Sequence, residues 1–412
     1  MLSNLSHSTL NILLIRFFTL SIRFLFIVFF SKAYSLDIVG IYGLIYAISA
    51  LVSQIVPFEL HNFITLEVLN NKDKFRKKMI SNSLLFVFAS FILSVPLFFL
   101  LFNYTNIGES YFLYVIILCF LETFSREFER LFIGLSKPTS KYISVFLKSF
   151  PWMFTVLILI SINRIIDFET VLILWTLSTF LSVIYGFFTM RKYIYFPFNF
   201  NKFLSVSFIK KGLIFSFPFL IATVCHTLSQ YLGRFFLSYE LSNEIVGIFS
   251  IYFQISALLL ILSDISYSIY LPTYAQNYKL KLLKKNKTFE YFNLLILTIF
   301  GILIYYLSPV LFSYINVELL KYLIAFYIMI SAMIILSFSG ILRMRLYIKR
   351  LNYEIMFSNL FFMIASLICN SLLIRAYGLY GAALSLLIPS IILCTSILLF
   401  SNYHSARDLN EK

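Results

Sequence analysis

Runs of about 20 consecutive apolar residues follow one another along this chain, and they constrain its fold more than any other feature. A helix needs about that length to cross the hydrocarbon core of a bilayer. Backbone groups inside lipid find no water to bond to, so spanning segments are helices or the strands of a closed barrel. The runs lack the two-residue alternation of barrel strands. The sequence therefore predicts transmembrane helices.

Composition supports this interpretation, since 60% of the residues are hydrophobic and only 12% are charged. An ordinary soluble domain is about 45–50% apolar and about 25% charged. We therefore expect an all-α integral membrane protein with about twelve spans. They are predicted at 10–31, 38–61, 80–103, 111–132, 139–161, 169–189, 213–238, 245–270, 288–312, 319–341, 353–374 and 378–400.

The basic residues indicate the orientation of these spans, because cytoplasmic loops of membrane proteins carry an excess of Lys and Arg. Most of the 33 Lys and Arg residues lie in alternate connections, at 71–78, 126–141, 191–211, 279–287 and 343–350. Both termini are therefore expected in the cytoplasm. The basic loops should contact anionic membrane lipids. This accounts for the net charge of +15 without a nucleic acid partner.

The chain also contains an internal repeat. Residues 35–51 and 242–258 match at a fixed offset of 207, with nine of seventeen positions identical. Six predicted spans separate the two segments, which is typical of parallel duplication in transporters. We expect two parallel-repeat six-helix bundles around a central cavity. The predicted division is 1–189 for the first bundle, 190–212 for a cytoplasmic linker, 213–400 for the second bundle and 401–412 for a cytoplasmic tail.

Basic residues inside predicted spans are candidates for function, because a charge at the centre of a span costs roughly 2.5–3.5 kcal/mol. They are Arg16, Arg23, Lys148 and Arg234. Arg16 and Arg23 are seven residues apart and share one helix face. A cationic cavity wall suits phosphate, which guanidinium binds in a bidentate fork. Arg16 and Arg234 lie near span ends, so snorkelling to the headgroups is the open alternative for them.

The acidic residues, cysteines and histidines within the predicted spans are less specific indicators of function than the basic residues. Glu59 and Asp264 lie late in the second span of each half, where they either bind a coupling cation or form salt bridges; salt bridges are favoured. The charged residues of 122–130 are interpreted as a solvated network at a helix end. The four Cys residues and the lone His61 and His226 lack metal-ligand spacing, so no metal site is expected.

Catalysis has no obvious place in this sequence. It contains no GxxxxGK[ST] phosphate loop, HExxH zinc motif or GxSxG elbow, and no long loop to hold an enzyme site. We therefore expect a protein that is not an enzyme and has no cofactor, apart from H⁺ or Na⁺ as a coupling ion. A polysaccharide polymerase and a membrane scaffold are the less favoured alternatives.

Two stretches resemble a known family. They read KKGLIFSFPFLIATVCHTLSQYLGRFFLSYELSNEIVGIFSIYFQISALL (210–259) and RAYGLYGAALSLLIPS (375–390). The first is similar to the start of the second half of polysaccharide flippases, the Wzx-type O-antigen transporters of the multidrug/oligosaccharidyl-lipid/polysaccharide exporter superfamily. The second is similar to the penultimate loop and last span of that family.

The resemblance implies translocation of an undecaprenyl-pyrophosphate-linked oligosaccharide across the bacterial cytoplasmic membrane. It implies a cationic role for Arg23, Arg234, Arg16 and Lys148, and partnership with a polysaccharide polymerase and a chain-length regulator. Peptidoglycan-precursor flippases of the superfamily usually have two further spans. Its multidrug antiporters usually place an acid in the opening helix, where this chain has Arg16 and Arg23 instead. A cation-coupled small-molecule antiporter is therefore the second hypothesis.

Overall fold

The computed structural model describes residues 7–64, 73–103, 105, 107–135, 137–194, 206–280 and 283–410. Every regular element within these ranges is helical. The α-helices are α1 His7–Ala33, α2 Leu36–Ile55, α3 Asp73–Asn103, α4 Phe112–Gly134, α5 Pro138–Ser161, α6 Phe168–Met190, α7 Val206–Glu240, α8 Asn243–Ser256, α9 Leu258–Lys279, α10 Leu283–Ile315, α11 Leu323–Ile348, α12 Asn352–Tyr377 and α13 Leu379–Asn410.

Eleven segments of the described chain are long and apolar enough to cross a membrane. Helices α8 and α9 share one of them, because Ala257 alone separates the two helices. Helix α4 has the length of a twelfth span, but its charged residues lower its mean hydropathy. The prediction of an all-α membrane protein with about twelve spans is confirmed.

The end of α2 departs from the predicted span 38–61. The helix stops at Ile55, two residues before Pro57, because the residue that precedes a proline avoids the α-helical conformation. Phe58 and Glu59 follow with φ angles of 52° and 54°, a left-handed conformation that is strained for residues other than glycine. Residues 60–64 then resume a helical path. The turn fixes the direction in which Glu59 points.

The described chain divides into two compact units. The N-terminal unit comprises Met1–Tyr34 and Leu44–Leu220, and the C-terminal unit comprises Ser35–Gly43 and Ile221–Lys412. The first turns of α2 thus belong to the C-terminal unit, and the division falls inside α7.

The predicted linker and the predicted C-terminal tail are both partly helical in the structure. Residues 195–205 of the predicted linker 190–212 lie outside the described residues, and its last seven residues form the start of α7. The predicted tail 401–412 continues α13 as far as Asn410. Backbone hydrogen bonding favours such extensions, because polar side chains at a helix end can point to water without interrupting the helix.

Small residues bring α4, α5 and α6 together in the N-terminal unit. The hydroxyl of Ser182 lies 2.9 Å from that of Ser125 and 2.8 Å from that of Ser144. A Cβ atom on Gly186 would lie 2.6 Å from the ring of Phe128, so glycine permits the close approach of α6 to α4. Small residues are the usual means of close helix packing in lipid.

The C-terminal unit contains a contact between the two copies of the internal repeat. The first turns of α2 cross α8 at Gly40 and Gly247, which are equivalent positions of the repeat. Ser242 caps α8 by accepting a hydrogen bond from the backbone of Ile245. The repeated sequence therefore encodes a helix crossing as well as two similar spans.

Candidate functional site

Arg16 and Arg23 lie on the side of α1 that packs against α5 in the N-terminal unit. The guanidinium carbon of Arg16 lies 4.6 Å from the ring centre of Tyr142, and Arg23 Nη2 donates a 2.7 Å hydrogen bond to Ser149 Oγ. The two partners in each contact are 126 residues apart in the sequence. Tyr142 and Ser149 are therefore seven residues apart on α5, as Arg16 and Arg23 are on α1. The two helices therefore run parallel here, and the two arginines occupy successive steps of one interface.

The partners of these two arginines are neutral. A phenol ring and a hydroxyl orient the guanidinium groups without cancelling their charge. Within the described parts of the chain, neither arginine has a carboxylate at ion-pair distance, and Arg23 Nε is buried with no hydrogen-bond acceptor. Buried polar groups are normally paired, so the site retains hydrogen-bonding capacity for an anion.

Lys148 has a different environment from the two arginines. Its ammonium group lies 2.9 Å from Glu129 Oε1 and 3.2 Å from Glu122 Oε2, and only 7% of the residue is exposed. Two carboxylates therefore compensate its charge. The role of Lys148 in substrate binding stays a prediction, and its contacts are those of a structural ion triad.

Glu59 contacts the end of α4. Its Oε1 lies 3.1 Å from Nη2 of Arg130, and its Oε2 accepts a 2.9 Å hydrogen bond from Asn62 Nδ2. His61 Nε2 lies 3.8 Å from the same Oε2. Burial, with Arg130 beside the ring, holds the pKa of His61 well below its usual range, so the imidazole is neutral at pH 7.

The charged residues of α4 correct the expectation of a solvated helix-end network. Four of them contact partners on other segments, because α3, α5 and the turn after α2 pack around the second half of α4. Glu127 is fully buried, and Glu122 is 8% exposed. The reason is the small-residue packing of α4, which brings polar partners from neighbouring helices over its charges. We call Glu59, Glu122, Arg126, Glu127, Glu129, Arg130 and Lys148 the ion network.

Arg234 is fully buried in the C-terminal unit. Its guanidinium carbon lies 4.4 Å from the ring centre of Phe253 and 5.1 Å from that of Tyr231, and its Nε donates a 3.2 Å hydrogen bond to Ser250 Oγ. Gly43 leaves room for the Ser250 side chain, which a Cβ at that position would approach to 2.1 Å. The side chain therefore does not snorkel, and its part in substrate binding stays a prediction.

Asp264 is exposed, in contrast to the buried Glu59. It acts electrostatically on Arg343 of α11, whose Nε is buried and lacks a hydrogen-bond partner in the described structure. His226 of α7 is also within electrostatic range of Arg343. Sequence reasoning missed Arg343 because it assigned 343–350 to a cytoplasmic connection. The continuous hydropathy of 317–348 is the signal that places it within a helix.

The C-terminal unit contains an ion pair that sequence reasoning missed. Arg345 Nε donates a 2.9 Å hydrogen bond to Glu290 Oε1, and the Arg345 Nη2 group binds the other carboxylate oxygen. The Tyr274 hydroxyl also donates to Glu290 Oε1, at 2.6 Å. The arrangement joins α9, α10 and α11. In the described residues, no group of three or more His, Cys, Asp or Glu side chains is placed to hold a metal ion.

Comparisons with known proteins identify the family. Residues 5–278 match the model of the polysaccharide biosynthesis protein family, which is about two thirds of the chain. No curated protein sequence matches the chain.

Solved structures share the fold at low sequence identity. An inward-facing multidrug resistance MATE family transporter of the MOP superfamily superposes with a TM-score of 0.73 at 12% identity, covering 99% of this chain and 96% of that one. The lipid II flippase MurJ, in an inward closed conformation, gives 0.70 at 13% identity, covering 95% and 87%.

A third structure is a MOP superfamily transporter from Pyrococcus furiosus, described as having a binding pocket of reverse polarity. It gives a TM-score of 0.57 at 11% identity, covering 96% of this chain and 95% of that one. Identities this low establish the fold and leave the cargo open. The chain belongs to the polysaccharide biosynthesis protein family and has the fold of the MOP superfamily transporters.

Proposed function

We propose that this protein is a flippase that translocates an undecaprenyl-pyrophosphate-linked oligosaccharide, the repeat unit of an O-antigen or another surface polysaccharide. Membership of the polysaccharide biosynthesis protein family supports the class of cargo. The likeness of the fold to that of the lipid II flippase MurJ is compatible with a lipid-linked substrate. The observation that carries the proposal is the pair of arginines on α1.

The chemistry of that pair fits a pyrophosphate. The partners of Arg16 and Arg23, Tyr142 and Ser149, are neutral and do not compensate the guanidinium charges. A guanidinium group binds phosphate oxygens through parallel N–H donors, and it stays protonated at every physiological pH. A low-dielectric surrounding strengthens the attraction relative to water. The pyrophosphate head would bind to this face of α1 while the lipid tail stays in the bilayer.

Lys148 and Arg234 have supporting roles in this proposal. Two carboxylates bind the Lys148 ammonium group, and Arg234 is fully buried among aromatic rings. Either residue reaches the cargo only if those contacts open during transport. We therefore assign the first contact with the pyrophosphate to Arg16 and Arg23.

The remaining parts of the proposal follow the distribution of charge and the family. The protein lies in the bacterial cytoplasmic membrane with both termini in the cytoplasm, and it works by alternating access. A polysaccharide polymerase and a chain-length regulator are its proposed partners, since a flipped repeat unit must then be polymerised. The proposed activity is transport coupled to H⁺ or Na⁺, and the protein is proposed not to be an enzyme.

The test uses a strain of the source bacterium in which the gene is deleted and complemented by variants. Arg23→Gln should reduce surface polysaccharide at least tenfold and cause lipid-linked repeat units to accumulate inside the cell. Arg23→Lys should retain part of the output, because it keeps the charge and loses the fork.

Arg164→Gln is the matched control, since Arg164 is exposed in the connection after α5. All variants must reach wild-type amounts in the membrane. Full polysaccharide output from a double Arg16→Gln, Arg23→Gln variant would contradict the proposed binding face. Unchanged lipid-linked intermediates in the deletion strain itself would contradict the flippase function.

The second hypothesis is a cation-coupled small-molecule antiporter, and the exposure of Asp264 favours it. An exposed carboxylate at membrane depth is accessible to a coupling cation. This hypothesis predicts that Asp264→Asn abolishes ion-driven uptake of a soluble substrate by vesicles. The flippase proposal predicts no such uptake by the wild-type protein.

A further inference from the structure

The ion network of the N-terminal unit contains four carboxyl groups and three cations, and Lys141 beside it adds a positive charge that acts on Glu129. Its carboxyl groups are Glu59, Glu122, Glu127 and Glu129, and its cations are Arg126, Arg130 and Lys148. Neighbouring His61 is neutral and adds no charge. A carboxylate in a low-dielectric interior is costly unless a cation faces it, and a carboxyl group without a cation of its own gains a proton instead. The arrangement of partners identifies which of the four carboxyls holds it.

Three of the four carboxyls have cationic partners. Glu59 lies 3.1 Å from Arg130, while Glu122 and Glu129 both bind Lys148. Arg126 adds a further positive charge beside Glu129. Each of these three carboxyls therefore has a cation at ion-pair distance.

Glu127 has a different set of contacts. It is fully buried, and its Oε1 accepts a 2.6 Å hydrogen bond from the hydroxyl of Ser83 on α3. Its Oε2 has no hydrogen-bond partner in the described structure. The charged groups that act on it are Arg130, one turn later on α4, and Glu59 from the turn after α2. Arg130 is already bound to Glu59, so it compensates Glu127 only in part.

We propose that Glu127 is a proton-binding site, and that it is a neutral carboxylic acid in this conformation. The proton resides on Oε2, which has no hydrogen-bond partner in the described structure, and Ser83 donates to the carbonyl oxygen Oε1. The ligand of the site is a proton from water. The assignment deepens the proposed transport function, because it names a group that takes up the coupling ion.

Loss of the proton has a defined consequence for the neighbouring ion pair. Arg130 Nη1 is buried without a hydrogen-bond partner in the described structure, while its Nη2 binds Glu59. Residues 127 and 130 are neighbours on one helix face. An ionised Glu127 therefore attracts Arg130 through Nη1 and shares its positive charge with Glu59, which weakens the contact between α4 and the strained turn after α2. Proton release and the position of that turn are linked in this way.

Infrared spectroscopy of the purified protein in liposomes tests the site without any cargo. A protonated carboxyl group has a C=O stretch that is separate from the bands of ionised carboxylates and shifts in D₂O. We expect this band in the wild type at neutral pH and its loss in Glu127→Gln. Glu169→Gln is the matched control and keeps the band, since Glu169 is exposed at the start of α6.

Three results would overturn the proposal. They are the absence of the band in the wild type, its persistence in Glu127→Gln, and its loss when sodium chloride replaces choline chloride at constant pH. The last result would mean that the site takes a sodium ion. None of these outcomes depends on flippase activity, so failure of this inference is distinguishable from failure of the proposed function.

Thermal unfolding gives a second measurement. Glu127→Gln should have the same melting temperature as the wild type at neutral pH, because glutamine resembles the neutral acid. Raising the pH should destabilise the wild type relative to Glu127→Gln, because ionisation leaves a buried charge without a cation of its own. A strongly destabilised Glu127→Gln at neutral pH would indicate an ionised Glu127 instead.

Discussion

Gly40 and Gly247 lie against the backbone of each other's helix in a reciprocal way. A Cβ atom on Gly40 would lie 1.9 Å from the carbonyl oxygen of Asn243, and one on Gly247 would lie 2.0 Å from that of Leu36. Leu36 and Asn243 are themselves equivalent at the offset of 207 residues. The two copies of the repeat therefore cross with local twofold symmetry, and each copy supplies the glycine that the other copy needs.

The crossing predicts that Gly40→Ala and Gly247→Ala are each destabilising by about 1–3 kcal/mol, because backbone atoms cannot move aside as a flexible side chain does. Thermal unfolding of the detergent-solubilised protein measures the effect. Gly340→Ala is the control, since no atom lies within 4 Å of a Cβ at that helical position. Equal melting temperatures for the three variants would contradict the close crossing.

The aromatic surroundings of Arg234 predict that Arg234→Lys lowers stability by about 1–2 kcal/mol, although it conserves the charge. An ammonium group cannot stack flat against Phe253 while it donates to Ser250. Arg375→Lys should have little effect, since that side chain is 69% exposed. Normal stability of Arg234→Lys, together with impaired transport, would indicate contact with the cargo instead of a structural role.

The triad around Lys148 predicts that Lys148→Met destabilises the N-terminal unit by about 3 kcal/mol, because two carboxylates then face each other without a cation. Adding Glu122→Gln and Glu129→Gln to the same variant should recover part of the loss. Denaturation of the single and combined variants measures this coupling. Additive effects would show that the three side chains do not interact as the distances imply.

The Arg345–Glu290 pair predicts that Glu290→Gln costs about 3 kcal/mol, since the Glu290 side chain is only 2% exposed. Glu240→Gln breaks a pair of similar length, since Glu240 Oε1 lies 2.8 Å from Arg375 Nε and Glu290 Oε1 lies 2.9 Å from Arg345 Nε. The Arg375 side chain, however, is exposed to solvent. Exposed pairs contribute little to stability. Melting temperatures of the two variants should therefore differ clearly, and equal losses would contradict the burial of Glu290.

The sequence predicted the spans well, because apolar runs and proline positions are local signals. The burial of the α4 charges was not predictable in this way. Glu127 depends on Ser83, 44 residues earlier, and Lys148 depends on Glu129, 19 residues earlier. No periodicity within one helix reveals such partners. The same holds for Arg234, whose enclosure depends on the missing side chain of Gly43.

The internal repeat shows what the sequence predicts and what it does not. Its offset identified Gly40 and Gly247 as equivalent positions, but the sequence alone did not indicate that they touch. It also shows that Arg23 and Arg234 are not equivalent, since the offset pairs Arg23 with Gln230 and Arg234 with Ile27. The first predicted span of each half contains an arginine, but these arginines do not occupy equivalent positions of the repeat.

The spacing of Arg16 and Arg23 along α1 also sets the fraction of the transmembrane voltage that lies between them. Arg16 and Arg23 are seven residues apart, which is about 10 Å along a helix axis and about a third of the hydrocarbon thickness. An anion that moves from the first guanidinium to the second therefore crosses about a third of the transmembrane voltage drop. That step is worth about 0.8 kcal/mol per elementary charge for every 100 mV. With the N-terminus in the cytoplasm, as proposed, and the interior of the cell negative, the membrane potential would pull the proposed pyrophosphate cargo from Arg16 towards Arg23.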